Sequence, residues 1–281
     1  MPILLAVLLG IVQGVTEFLP VSSDGHLAIV QIYLGRWLDL EHIPLAFDVA
    51  LHGATLLVTF VFLRKQVFSI LRHLFSAGER GAKARGLVLA GFIASLPVAL
   101  VGLMWKHQIE ASFTSKAIAG LGFLVTGLLL EFAHRRQLIS APRATVNGPE
   151  EDPLFLQVPT PLEAFFIGVA QATAVLPGLS RSGSTIAAAL IFGIDARSAV
   201  YFSFLLALPA VFGAVVLESD SILALPPEYT APLVIGFLVT TLVGSFAIRV
   251  VPLVVTRLKL RAFSLYVSIL GVLCLLGAAI A

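Results

Sequence analysis

Charge is what this chain has least of. Asp, Glu, Lys and Arg make up 12% of its 281 residues, about half the share usual in a soluble domain. Hydrophobic residues make up 58% and the mean hydropathy is +1.01, so an integral membrane protein is indicated. Cysteine is almost missing as well. Cys274 stands alone, which excludes an internal disulfide and a cysteine metal cluster. No polar stretch is long enough for a separate soluble domain. The longest, about 135–160, holds Pro, Asn-Gly and Glu-Glu-Asp and reads as a loop. The net charge of +2 is not gathered on one face, which argues against nucleic acid as a partner. The N-terminus lacks the basic start of a signal peptide, and its apolar run contains Glu17. It is therefore expected to stay attached.

What recurs instead is the apolar run of bilayer-spanning length. Six such runs are read as full spans, at about 44–63, 86–105, 115–134, 197–217, 230–249 and 262–280. Two further apolar regions, about 3–34 and 161–194, each hold a polar string near the middle. Both are read as re-entrant helix–turn–helix hairpins, since irregular backbone at that depth is tolerated where protein or a wet cavity surrounds it. A pair of short tilted spans is the other reading of each; both return the chain to the side it left. The expected fold class is thus an all-α integral membrane protein with six full transmembrane helices plus two re-entrant helix hairpins.

Lys and Arg set the orientation. Segments 64–85, 135–160 and 249–261 hold 13 of the 18. The opposite loops hold Arg36, Lys106 and Lys116 beside acids such as Asp39, Glu218, Asp220 and Glu228. The first group is expected to be cytoplasmic and both termini outside. A shift of 158 residues matches Gly10 to Gly168, Gln13 to Gln171, Ser22 to Ser180 and Gly25 to Gly183. In each half a hairpin precedes three spans, an odd number, so the second half is expected to be inverted. A single membrane domain, 1–281, would then hold repeat halves of about 1–134 and 161–281, joined by a cytoplasmic loop at about 135–160. The hairpin tips would meet near the midplane, an arrangement common in transporters.

The two strings carry the chemistry. A charged side chain at bilayer depth costs ~2.5–3.5 kcal/mol even on the mildest scale, so a chain that keeps several there has something polar to bind. In the second string, Pro177 to Thr185, Pro177-Gly178 breaks a helix and Ser180, Ser182 or Ser184 can cap the next. A helix start favours an anion, and the Arg181 fork matches phosphate oxygens. The hydroxyls of Ser180, Ser182 and Thr185 can complete a phosphate cradle, and Arg181 paired with Glu17 as a structural ion pair is the other reading. In the first string, Gln13 and Glu17 share a helix face. Glu17 can hold a hard cation with Gln13 as neutral co-ligand, or act as a base. Ser22 and Ser23 sit at the turn as candidate nucleophiles or as an N-cap, and His26 starts the returning helix. Asp48 and His52, four apart near the outer boundary, read as a helix start and a histidine buried against a partner, or as a secondary cation site.

At these residues the chain resembles the undecaprenyl-diphosphate phosphatase family, membrane enzymes linked to bacitracin resistance. The family's (E/Q)xxxE string runs here from Gln13 to Glu17, PVSS-x-GH from Pro20 to His26, and PGxSRSxxT from Pro177 to Thr185. Leu45-Ala-Phe47 and the stretch Phe202 to Pro209 support it, and the resemblance covers the whole chain. It implies removal of the terminal phosphate of a long polyprenyl diphosphate at the outer face of a bacterial inner membrane. The monophosphate carrier would thereby be recycled for peptidoglycan. It also implies a divalent cation, Mg²⁺ or Ca²⁺. By motif position Glu17 is metal ligand or base, Ser23 the favoured nucleophile, His26 acid/base and Arg181 the phosphate binder. Ser180, Ser182, Thr185 and Ser22 assist at the phosphate, and Gln13 takes the neutral option beside Glu17. Asp24 stands where a small residue is expected. A lipid-phosphate flippase or transporter with the same midplane site is the alternative, and a homodimer is left open.

Overall fold

Each apolar run folds as a helix, because a backbone in lipid has only its own carbonyls to bond. The computed structural model describes residues 1–37, 43–139, 154–256 and 260–279. Six long apolar helices stand at the six expected spans. They are α3 (Leu45–His73), α4 (Gly78–Met104), α6 (Lys116–Ile139), α9 (Ala196–Leu217), α11 (Thr230–Thr256) and α12 (Leu260–Ala279). Four shorter helices occupy the two hairpin regions: α1 (Ile3–Thr16), α2 (Ser23–Trp37), α7 (Pro161–Thr173) and α8 (Arg181–Ile191). At ~1.5 Å per residue none of the four reaches the ~30 Å of a hydrocarbon core. The short α5 (Lys106–Ser112) and α10 (Ser219–Leu223) cap one end of the bundle, tied together by the Lys106–Glu218 ion pair at 2.5 Å. That pair holds the Lys106 ammonium above its ordinary pKa. No strand occurs among the described residues.

Several spans run past their expected ends. Helix α3 continues through Arg64, Lys65 and Arg72, which were expected in a loop. Lys and Arg are good helix formers, so leaving the bilayer does not end the helix. Pro97 and Pro209 lie inside α4 and α9 as expected, and Pro252 lies inside α11. Of the expected long loop, 140–153 lies outside the described residues, as do Asp39, Arg143, Arg257 and Lys259. The rest of that loop is anything but free. Leu154, Phe155 and Leu156 are buried, and Gln157 is bonded to Ser198 and to the Asp195 N–H, both at 2.9 Å. A capping box of Thr160 and Glu163, with Pro161 behind it, then starts α7.

Helix pairing positions the site. Helix α1 packs on α11, α7 on α4, α6 on α12, α3 on α9 and α11, and α8 on α6. An edge-to-face chain of Phe18, Phe204 and Phe62, with centroids 5.8 and 6.1 Å apart, locks the first hairpin to α9 and α3. Outward faces carry large apolar side chains such as Phe92, Leu128, Phe212 and Leu238, as a lipid-facing surface must.

Candidate active site

The turns between α1 and α2 and between α7 and α8 meet. Gly25 and Gly178 are in backbone contact: a Cβ on Gly25 would lie 2.7 Å from the Gly178 Cα. Gly178 itself has φ of +87° and is pressed against α6, where a Cβ would fall 2.0 Å from the Ala119 carbonyl oxygen. Only glycine satisfies both demands. Thr126 on α6 fixes this second turn from both sides, donating to the Gly178 carbonyl at 2.9 Å and accepting the Ser180 N–H at 3.0 Å.

The two turns are capped alike. Ser22 Oγ accepts the Gly25 N–H at 3.2 Å, and Ser180 Oγ accepts the Gly183 N–H at 3.0 Å. Ser22 does so with φ of +68°, a left-handed conformation that a non-glycine residue holds only when its surroundings enforce it. Here the Ser22 carbonyl accepts from His26 Nδ1 at 2.6 Å.

Glu17 is the centre of the cluster. Buried at the end of α1, its Oε1 pairs with Arg181 Nη2 across the two turns. Its Oε2 accepts from Ser23 Oγ at 2.5 Å and from Gln13 Nε2 at 3.0 Å. On the same side stands His52 of α3, with Nε2 3.5 Å from Glu17 Oε2 and 3.2 Å from Asp24 Oδ1. Ser182 Oγ donates to the Leu19 carbonyl at 3.0 Å, a second bond between the turns. Gln13 to Glu17, Ser23 and Arg181 therefore come together as the motifs suggested.

The remaining expected residues lie close by with other partners. Thr185 Oγ1 donates to the Arg181 carbonyl at 2.8 Å and is bonded to Ser203 at 2.6 Å, which steadies the first turn of α8. His26 has partners of its own. Its ring stacks on Tyr266 of α12 at 5.7 Å and meets Phe123 edge-on at 5.2 Å. A carbonyl only accepts, so Nδ1 carries the hydrogen toward Ser22, and Nε2 accepts from the Tyr266 hydroxyl at 2.7 Å. Asp48 is held by Gln31 Nε2 at 2.7 and 2.8 Å. Sequence reasoning missed Tyr266, Thr126 and Ser203. Each is a polar residue inside an apolar span with nothing in the sequence to tie it to the two strings.

The cluster can polarise a serine hydroxyl against a carboxylate and present a guanidinium beside it. As a cation site it offers one observation. Gln13 Oε1 is buried and has no hydrogen-bond partner, leaving an oxygen ligand free next to Glu17. Among the described residues no group of three or more His, Cys, Asp or Glu is arranged to hold a metal. The donor set therefore suits an ion that completes its shell with ligand oxygens and water, as Mg²⁺ commonly does.

Comparison with known proteins places the whole chain in a family. The family model described as bacitracin resistance protein BacA matches residues 6–273. An undecaprenyl-diphosphatase of Carboxydothermus hydrogenoformans is 37% identical over 95% of this chain and 94% of its own length. One from Methanobrevibacter smithii is 35% identical over 99% and 98%, and one from Bacteroides fragilis 38% over 95% of each. The chain belongs to the BacA family of bacitracin resistance proteins.

Proposed function

We propose that this protein is a multi-pass membrane phosphatase that removes the terminal phosphate from a long polyprenyl diphosphate, undecaprenyl diphosphate, and returns the monophosphate carrier. One observation carries the reading: a serine hydroxyl, a carboxylate and a guanidinium meet in one buried cluster where two polar turns touch. The names of the similar proteins point the same way.

The chemistry follows from the partners. Arg181 exchanges Glu17 for the terminal phosphate, aided by the first-turn N–H groups of α8 and by Ser180, Ser182, Thr185 and Ser22 around the turns. Glu17 Oε2 takes the Ser23 proton as Ser23 Oγ attacks the terminal phosphorus. The bond from that phosphorus to the bridging oxygen breaks, its electron pair leaves with the lipid monophosphate, and Glu17 passes the proton on to it. Water then attacks the phosphoserine, giving a proton to Glu17, which returns it to Ser23 Oγ as phosphate departs. The Ser23 hydroxyl bonds Glu17 and not His26, which favours Glu17 as base. His26 is the second acid/base candidate: in that version its Nε2, the ring nitrogen free of the backbone, serves the leaving group in place of Glu17. A divalent cation, Mg²⁺ or Ca²⁺, would be held by Gln13 and Glu17, and would offset charge growing on the leaving group. A carrier that only moved lipid would have no need of the Ser23–Glu17 bond, so hydrolysis is favoured over a flippase.

The finer architecture belongs to the same proposal: two re-entrant hairpins in an inverted repeat, with the cluster opening to the outer face. Three pairings support the repeat. Gly10 meets α11 at Gly236, its counterpart Gly168 meets α4 at Ala94, and Gly120 meets Gly271 where α6 crosses α12. The matching caps at Ser22 and Ser180 agree. The bias of Lys and Arg supports inside placement of the Arg64–Arg85 end, which a reporter fused to the C-terminus would test by appearing outside.

The direct test is inorganic phosphate release from a prenyl diphosphate by purified protein, with and without chelator. Release that falls with chelator is expected. Lipid bound and returned uncleaved would sink the proposal.

A further inference from the structure

His52 stands between two carboxylates that would otherwise face each other. Its Nδ1 lies 2.8 Å from the Asp48 carbonyl oxygen, which can only accept, so Nδ1 is a donor. Its Nε2 lies 3.2 Å from Asp24 Oδ1 and 3.5 Å from Glu17 Oε2, both carboxylate acceptors. The ring thus bridges the Asp48 carbonyl on one side and the Asp24 and Glu17 carboxylates on the other, with Arg181 beyond Glu17. Helix α3 delivers the ring and is itself pinned to α2 by the Gln31–Asp48 bonds. One side chain therefore joins the ends of α1, α2 and α3 at the point where Ser23 meets Glu17.

This accounts for Asp24. A second carboxylate beside a phosphate site repels the substrate and competes for the proton taken from serine. His52 Nε2 stands against it at 3.2 Å and gives its oxygen a partner other than the substrate. Like charges set close together disfavour each other, so Asp24 without His52 is expected to disturb Glu17 more than the loss of both.

We infer that His52 is a positioning residue, acting as one unit with Asp24 to hold the Glu17 carboxylate against the Ser23 hydroxyl and to shield the phosphate site from the Asp24 charge. The inference rests on the hydrolytic reading above and deepens it. His52 does not touch substrate; it sets where Glu17 Oε2 points.

The test uses the full chain in detergent as wild type, His52→Gln, Asp24→Asn and the double variant. Phosphate release from a prenyl diphosphate gives kcat and KM, and loss of monodisperse protein on heating gives a melting midpoint. His52→Gln is expected to lower kcat about 100-fold, the scale of a small misplacement of a reacting group, and to raise KM by a smaller factor as Asp24 loses its partner, a rise absent from the double variant. The double variant is expected to recover to within about tenfold of wild type, because no unpaired carboxylate remains. Its midpoint should fall by less than the two single losses combined. Unchanged kcat in His52→Gln overturns the inference, and so does a double variant no faster than His52→Gln. Absence of release by the wild type would instead overturn the hydrolytic reading. The midpoints would then decide the pairing by themselves, additive losses refuting it and non-additive losses upholding it.

Discussion

Ser23 Oγ and Glu17 Oε2 lie 2.5 Å apart, six residues distant in sequence and brought face to face by the turn that Ser22 holds. The proposed nucleophile and its base thus come from the two arms of one turn, while the guanidinium opposite comes from the other. Their separate removal should have unequal effects.

Ser23→Ala deletes the attacking oxygen but leaves the Glu17–Arg181 pair intact. Phosphate release should drop by about 1,000-fold or more, near the loss seen when a nucleophile is removed from a covalent mechanism, with substrate still bound. Glu17→Gln should lower release comparably. If Ser23→Ala kept most of its turnover, water activated by Glu17 would replace serine as the attacking group.

Arg181→Lys keeps the charge and loses the planar fork that reaches both Glu17 and a phosphate. KM for the prenyl diphosphate should rise, on the order of tenfold or more given the ~1.5–3 kcal/mol of a charge-assisted hydrogen bond. Titrating initial rates against substrate concentration separates this from a turnover defect.

Tyr266→Phe retains the ring stacked on His26 and removes one hydroxyl. Losing a hydrogen bond worth ~0.5–1.5 kcal/mol should reduce turnover about three- to tenfold and leave thermal stability nearly unchanged. His26→Ala should fall much further. Equal losses in both would mean that His26 acts only through Tyr266.

Thr126→Val strands the Ser180 N–H and the Gly178 carbonyl together, since one hydroxyl serves both. Unsatisfied buried groups cost ~1–3 kcal/mol each, so heating should unfold this variant well below wild type. Gly178→Ala should be worse, as it sets a methyl against the backbone of α6 at a positive φ.

Hydropathy made the six spans legible, because apolar residues are the only ones lipid tolerates in quantity. It said little about where α3 ends, since Arg64, Lys65 and Arg72 leave the bilayer without leaving the helix. The Glu17–Arg181 meeting was also readable: two charges placed in apolar sequence are costly unless paired. His52 was readable only in part. The sequence suggested a histidine buried against a partner but not which one: Nδ1 goes to the Asp48 carbonyl, and Nε2 faces Glu17 and Asp24. Nothing marked Tyr266, because a tyrosine in a span is ordinary until its neighbour across the bundle is known.

At Gly25 and Gly178 the two turns touch backbone to backbone, and the Arg181–Glu17 and Ser182–Leu19 bonds join them on either side. On the proposed chemistry each turn is mute when alone: one holds the attacking serine without an anchor for phosphate, the other the anchor without a nucleophile. Any sliding of one half against the other separates attacker from target, so the chain's activity doubles as a gauge of how firmly its halves are mated.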